Sequence, residues 1–416
     1  MKDDLDRLMD ENNFDAIWVS GPAQHNAAMV YFTGVSHLTH AEFIKKKGEG
    51  PVLFHNSMER EEAARTGFQT VNLAKYEFKN LLEEAGGDYL QARARMYEAM
   101  LTELDLLQGS VVLYGKVNLG GAWGVFSVLQ DMLSEMEFIG EGPNSILLEA
   151  RATKGEGEVE EMRKMGQITT EVVQRVEDYL TSSQVNEDEE LITHDGEHLC
   201  VKDVKSKINL WLAELGAENP EGAIFAIGRD AGIPHSTGTD ADVLRLGQTI
   251  VFDIFPCQKG GGYFYDFTRT WCLGYAPEEE RALYEDVLQV YQKILSELSV
   301  DAFAPDLQER TCELFEELGH KTIRQDSQLQ DGYVHSLGHG LGLNVHERPR
   351  FSRGATEADR LAPGTITTIE PGLYYPDRNM GCRLENTVWV RPDGEMEVLV
   401  DYPLDLVLDM QHWDRR

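Results

Sequence analysis

Two aspartates set inside otherwise apolar strands constrain this chain more than any other feature. The stretch Val251–Trp271, VFDIFPCQKGGGYFYDFTRTW, reads as two strands joined across the glycine run Gly260–Gly262. Asp253 lies among Ile250, Val251, Phe252 and Ile254, and Asp266 lies between Tyr265 and Phe267. Strands of such apolar, β-branched and aromatic residues are normally buried. A carboxylate there is costly unless something cationic compensates it, and a hairpin brings these two side by side. One such Asp is as often a strand-end residue facing water; a pair needs partners, and the rest of the chain supplies them.

Three later segments carry those partners. Tyr333–Glu347, YVHSLGHGLGLNVHE, holds His335, His339 and His346; Thr365–Tyr374, TITTIEPGLY, is an apolar strand ending in Glu370; Arg383–Val390, RLENTVWV, places Glu385 inside another strand. His335 and His339 are four apart, as on one helical face, but Gly338, Gly340 and Gly342 oppose a helix and no Glu follows His335 directly. The histidines are therefore expected on extended backbone converging on a pocket. Asp253, Asp266, Glu370 and Glu385, brought within ~4–6 Å, could not all stay ionised unaided, and two divalent cations would cancel them. An oxygen-rich set with one imidazole suits Mn²⁺, Co²⁺, Zn²⁺ or Fe²⁺. Such pairs sit ~3.5–4 Å apart and make hydroxide available near neutral pH.

Length and charge bound the rest. A chain of 416 residues with 42% hydrophobic content exceeds the ~250–300 residues at which single cores stop growing, so two domains are expected. A net charge of -34 repels phosphate backbones and anionic membranes, which argues against nucleic-acid and membrane partners. The five cysteines, Cys200, Cys257, Cys272, Cys312 and Cys382, are scattered without a CxxC pair, the pattern of small buried hydrophobes in a reducing compartment. The acidic start MKDDLDRLMDENNF has no apolar core, and no run approaches the ~18 apolar residues of a membrane span, so a soluble, cytoplasmic protein is expected.

Along the chain, a short helix over residues 3–13 precedes strands at Ala16–Ser20, Val52–Phe54, Thr70–Leu73 and Val111–Tyr114, with a helical pattern at Tyr89–Leu106. That alternation predicts a small α/β domain over residues 1–152, bounded at ARATKGEGE. From Glu156 a long helix is expected from Val159, Met162, Met165, Ile168, Val172, Val176 and Leu180, then a polar loop over Ser182–Asp203 and a second amphipathic helix through Leu283, Val287, Val290, Ile294 and Leu298. Residues 153–416 read as an α+β domain.

The segments PHSTGT, VFDIFP, YDFTRTW, HSLGHGLGLNVHE, TIEPGLYYP and RLENTVWV together resemble the pita-bread metallopeptidases, in family order. That family includes Xaa-Pro dipeptidase (prolidase), Xaa-Pro aminopeptidase, methionine aminopeptidase and creatinase, and the N-terminal α/β domain is similar to that of the prolidase and creatinase branch. The resemblance implies an α+β chain with a C-terminal pita-bread fold behind a creatinase-type N-terminal domain. It implies two divalent metal ions, Mn²⁺ first and Co²⁺, Zn²⁺ or Fe²⁺ otherwise, held by Asp253, Asp266, His339, Glu370 and Glu385, with Asp266 and Glu385 bridging. Glu370, His235 and His346 match the family's catalytic carboxylate and its two pocket histidines, while His335 and Arg383 match its substrate-binding positions. The interval between Asp253 and Asp266 is slightly longer than the family's, the extra residues falling in Lys259–Gly262. The expected activity is hydrolysis of the Xaa-Pro bond of a proline-containing peptide by a metal-bridging hydroxide, in a homodimer. A metal-free amidinohydrolase of the creatinase kind and a non-catalytic binding module on the same fold are the alternatives, both of which tend to lose residues that this chain has kept.

Overall fold

The computed structural model of the chain describes residues 4–352 and 354–413. Two compact units divide it, Met1–Ala150 with Lys259–Gly262, and Arg151–Gln258 with Tyr263–Arg416.

The first unit is a six-stranded sheet. Its strands are β1 (Ala16–Gly21), β2 (Ala41–Lys46), β3 (Val52–His55), β4 (Gln69–Asn72), β5 (Gly109–Gly115) and β6 (Met136–Gly140), in the order β4-β3-β2-β1-β5-β6. Period-two alternation sorts β1 onto two faces: Ile17 and Val19 join one hydrophobic cluster, Ala16 and Trp18 the other. Helices α1 (Tyr89–Glu103) and α2 (Leu119–Met132) cover the Trp18 face with Met96, Tyr97, Met100, Val125 and Leu129. The sequence reading finds β1, β3, β4 and β5 but not β2 or β6. β2, AEFIKK, is half charged, yet its Glu42 is fully buried because Trp18 Nε1 (2.8 Å), Tyr97 Oη (2.6 Å) and Arg93 donate to it.

The second unit opens with α3 (Glu156–Thr181), whose Val159, Met162, Met165, Val172, Val176 and Leu180 are buried at the spacing of three and four that predicted it. Within the expected polar loop, α4 (Val201–Glu214) already begins at Val201, where the Asp203 carboxylate accepts the Cys200 amide at 2.9 Å. Strands β7 (Ala223–Ile227), β8 (Thr249–Ile254) and β9 (Phe267–Leu273) pair antiparallel in one sheet. The second amphipathic helix is α5 (Glu278–Glu297), packed beside α6 (Ala304–Glu317). A five-stranded sheet follows, built from β10 (His339–Gly340), β11 (Glu347–Arg350), β12 (Ile366–Ile369), β15 (Asn386–Val390) and β16 (Met396–Val398) in the order β11-β10-β12-β15-β16; between β12 and β15 in the chain, β13 (Gly372–Tyr375) and β14 (Met380–Arg383) form a separate two-stranded sheet. The cysteines are all free, four of them buried. No described helix is long and apolar enough to cross a membrane.

Candidate metal centre

Backbone register builds the site. Asp253 on β8 pairs with Thr268 on β9, and Thr268 in turn bridges to Glu385, whose amide donates to the Thr268 carbonyl at 3.1 Å. Asp266 precedes Thr268 by two residues, so period-two alternation sends its side chain to the Asp253 side of the hairpin. The longer interval between the two aspartates leaves this pairing intact, because the chain turns at Gly260 and Gly261, both at positive φ (89° and 82°). On the other sheet Ile369 of β12 faces Asn386 of β15, which sets Glu370 opposite Glu385 at the strand ends. His339 enters on β10, its amide donating to Thr368 Oγ1 at 3.1 Å. No helix forms around it, and a Cβ on Gly340 would overlap the Arg348 carbonyl, so the glycines serve close backbone approach.

The side chains converge accordingly. Asp266, His339 and Glu385 each offer an atom within 4.8 Å of the others. His339 Nε2 lies 3.5 Å from Asp266 Oδ2 and 3.4 Å from Glu370 Oε1. Asp253 stands at the flank with Oδ2 held by Arg383 at 2.5 Å. His346 packs its ring 4.4 Å from that of His339. His235 is exposed on the loop after β7, next to Pro234, whose carbonyl accepts from Arg383 at 3.1 Å.

His335 and Arg383 are tied into the protein itself. Arg383 donates to Asp253, to Tyr374 Oη (2.7 Å), to Pro234 O and to Thr268 Oγ1 (3.3 Å). Tyr374 Oη in turn contacts His335 Nε2 at 2.9 Å, and His335 Nδ1 meets the Ser336 carbonyl at 2.6 Å. A carbonyl can only accept, so Nδ1 carries the proton, Nε2 accepts from the tyrosine, and both ring nitrogens are spent.

Electrostatics show what the site lacks. Burial and then the charge of Asp253 and Glu370 push Asp266 well above the usual carboxylate range; burial and then Asp266 and Glu370 do the same to Glu385. Burial raises Glu370 to about 7, with His339 and Arg383 opposing. Asp253 Oδ1 and Glu385 Oε1 are buried and have no hydrogen-bond partner. Buried like charges and two orphaned oxygens are what divalent cations would satisfy, so this donor set fits a metal centre. Burial, and then the cationic Arg383, lowers His335 to about 3; burial and then His339 lowers His346 to about 4, so both rings are neutral at physiological pH.

Thr268, Thr368 and Tyr374 were not singled out by sequence reasoning. Thr268 donates to Glu385 Oε2 at 2.7 Å, and Thr368 lies 3.4 Å from Glu370 Oε1. Their signal was the alternation itself, since Thr268 follows Asp266 by two and Thr368 precedes Glu370 by two.

A sequence profile of metallopeptidase family M24 matches residues 160–392, more than half of the chain. The chain belongs to metallopeptidase family M24. It is 26% identical over 399 residues to the Xaa-Pro dipeptidase of Pyrococcus furiosus, covering 95% of this chain and 97% of the relative. Among solved structures, the prolidase from Pyrococcus horikoshii superposes with a TM-score of 0.72 at 22% identity, covering 97% of this chain and 98% of that one. The X-Pro aminopeptidase from Thermotoga maritima does so with a TM-score of 0.70 at 21% identity, over 97% and 98%. The fold is thus the pita-bread architecture with an N-terminal creatinase-type domain, and this M24 chain is a metal-dependent peptidase.

Proposed function

We propose that the protein hydrolyses Xaa-Pro bonds as a dipeptidase or aminopeptidase, with two divalent ions, Mn²⁺ first, held by Asp253, Asp266, His339, Glu370 and Glu385. The observation that carries the metal assignment is the convergence of buried carboxylates with His339, two of whose oxygens, on Asp253 and Glu385, are left without partners. The proline preference is supported by the likeness to the Xaa-Pro dipeptidase over 95% of the chain. When bound, the ions supply Lewis acidity and a hydroxide nucleophile near neutral pH.

The chain's own residues do the rest. Glu370 Oε1, 3.4 Å from His339 Nε2, takes the proton of the attacking water and returns it to the leaving prolyl nitrogen. That nitrogen carries no amide hydrogen, so the site recognises the ring and its geometry rather than a donor. His346 and His235 face the substrate carbonyl, and the neutral His346 donates to the developing oxyanion. With both nitrogens spent on Tyr374 and Ser336, His335 offers the substrate its ring surface. Arg383 supports substrate binding by fixing Asp253.

The reading includes a homodimer, supported by Leu119 (83% exposed) and Trp123 (76%), four apart on α2; sedimentation velocity checks it. The catalytic test is metal analysis with hydrolysis of Xaa-Pro dipeptides, longer Xaa-Pro peptides and Xaa-Ala controls, with and without chelator. Cleavage confined to Xaa-Pro substrates and abolished by chelator is expected. Equal cleavage of Xaa-Ala, or none of either, would sink the proline assignment, and activity indifferent to chelator would sink the metal centre.

A further inference from the structure

The segment His339–Glu347 holds a second buried charge cluster that the chemistry above leaves unused. Between β10 and β11 the chain makes a short excursion, leaving at His339–Gly340 and returning at Glu347, with Gly340 paired to Glu347. The Glu347 carboxylate turns back into this excursion: Oε1 accepts from the amides of Leu343 (2.8 Å) and Asn344 (3.0 Å). It also accepts from the Arg151 guanidinium, and Oε2 lies 3.2 Å from Lys154 Nζ. The side chains of all three charged residues are at most 5% exposed. With its amide turned to suit its neighbours, the Asn344 side chain accepts from Arg151 at 2.8 Å. A Cβ on Gly342 would come within 2.5 Å of Glu347 Oε2, so the loop is wrapped directly on the carboxylate.

We propose that Glu347, neutralised by Arg151 and Lys154, is a positioning residue that fixes the excursion leading from His339 to His346, and with it the direction of the His346 ring. The inference rests on His346 acting on an Xaa-Pro substrate. Burying a carboxylate is expensive unless it is paired and hydrogen-bonded, and here two loop amides and two cations meet that need together. His346 adjoins Glu347 in the chain, so any loosening of the carboxylate moves its backbone first. The partners lie 196 and 193 residues away in sequence, so the clamp forms only when the whole unit has folded. Arg151 and Lys154, at the start of the second unit, thereby acquire a catalytic consequence without touching substrate.

The test compares Glu347→Gln, Lys154→Met and the charge-keeping Arg151→Lys with wild type. Activity is measured on an Xaa-Pro dipeptide, and the His346 imidazole resonance in the Zn²⁺-loaded, diamagnetic protein is assigned by its loss in His346→Ala. The first two variants are expected to lower kcat roughly 10–100-fold, the range for displaced supporting residues, and to move the His346 resonance. Arg151→Lys should stay near wild type in both. If Glu347→Gln does not fold, Lys154→Met decides. A folded variant with kcat and the His346 resonance both unchanged overturns the clamp, even if its unfolding midpoint falls. Should the wild type cleave no Xaa-Pro substrate, the functional reading fails, and the resonance alone then decides whether the clamp exists.

Discussion

Acid stability offers the sharpest quantitative test of the Glu347 cluster. Burial alone would raise this carboxyl, but the Arg151 and Lys154 charges more than offset it and hold it at about 2, against an ordinary glutamate at 4.5. A folded-state pKa below the unfolded one contributes stability that is present above the unfolded value and lost as pH falls toward the folded one. That depression is worth ~3 kcal/mol at pH 7, of which ~2 kcal/mol is gone by pH 3. Glu347→Gln removes that titration while leaving other acid-sensitive pairs, such as Arg348–Asp359 at 2.8 Å, in place. Urea unfolding of wild type and variant at pH 7, 5, 4 and 3 isolates the effect, because everything common to both proteins cancels in the difference. The gap between them should be nearly constant from pH 7 to 5 and then close by ~2 kcal/mol toward pH 3. A gap independent of pH would refute the reasoning, since the carboxylate would then titrate alike folded and unfolded.

Three further outcomes are expected around the metal centre. Asp266→Asn or Glu385→Gln should abolish metal binding and turnover together, since each removes a charge from a set that requires it; full metal occupancy by elemental analysis with normal turnover would contradict the assignment. His346→Ala and His235→Ala should keep their metals and lose ~10²–10³ in kcat, the cost of one oxyanion donor; metal lost on either substitution would make that residue a ligand. Chelated protein should lose stability as pH rises from 5 to 8, because raised carboxyl pKa values, Glu370 at about 7 among them, favour the protonated folded form. Metal affinity changes in the opposite direction, so the Tm difference between loaded and chelated protein should widen over that range; a constant difference would contradict it.

Much of the site could be read because strands announce their buried face. Asp253 between Phe252 and Ile254, or Glu385 between Leu384 and NTVWV, violates an apolar pattern, and each violation is a candidate site residue. β2 shows the limit of the same logic: Glu42 and Lys45 are buried in a strand that composition hides, and their partners Trp18, Tyr97 and Asp6 lie elsewhere in the chain. Glu347 ends the segment HSLGHGLGLNVHE and Arg151 lies in the boundary segment ARATKGEGE, and nothing local connects residues 196 apart. Supporting residues are harder to see than the groups they support, since a Thr or Tyr in a strand breaks no pattern.

The charge balance explains why Arg383 must be buried while the other candidate ligands remain uncompensated. Its side chain is 3% exposed and, of the four carboxylates, is bonded directly to Asp253, while Thr268 gives Glu385 a hydroxyl and His339 stands between Asp266 and Glu370. One fixed cation against four carboxylates leaves three with raised pKa values, Asp266, Glu370 and Glu385. A second buried arginine would relieve them, but it would fill the space and satisfy the oxygens that a metal needs. Without cations these carboxyls hold protons at raised pKa, and divalent ions would take the protons' place, so affinity for metal and the loss of metal-free stability at higher pH would share one origin. Arg383 sets the balance point: by pinning Asp253 it keeps one oxygen of that carboxylate, Oδ1, unpartnered and available.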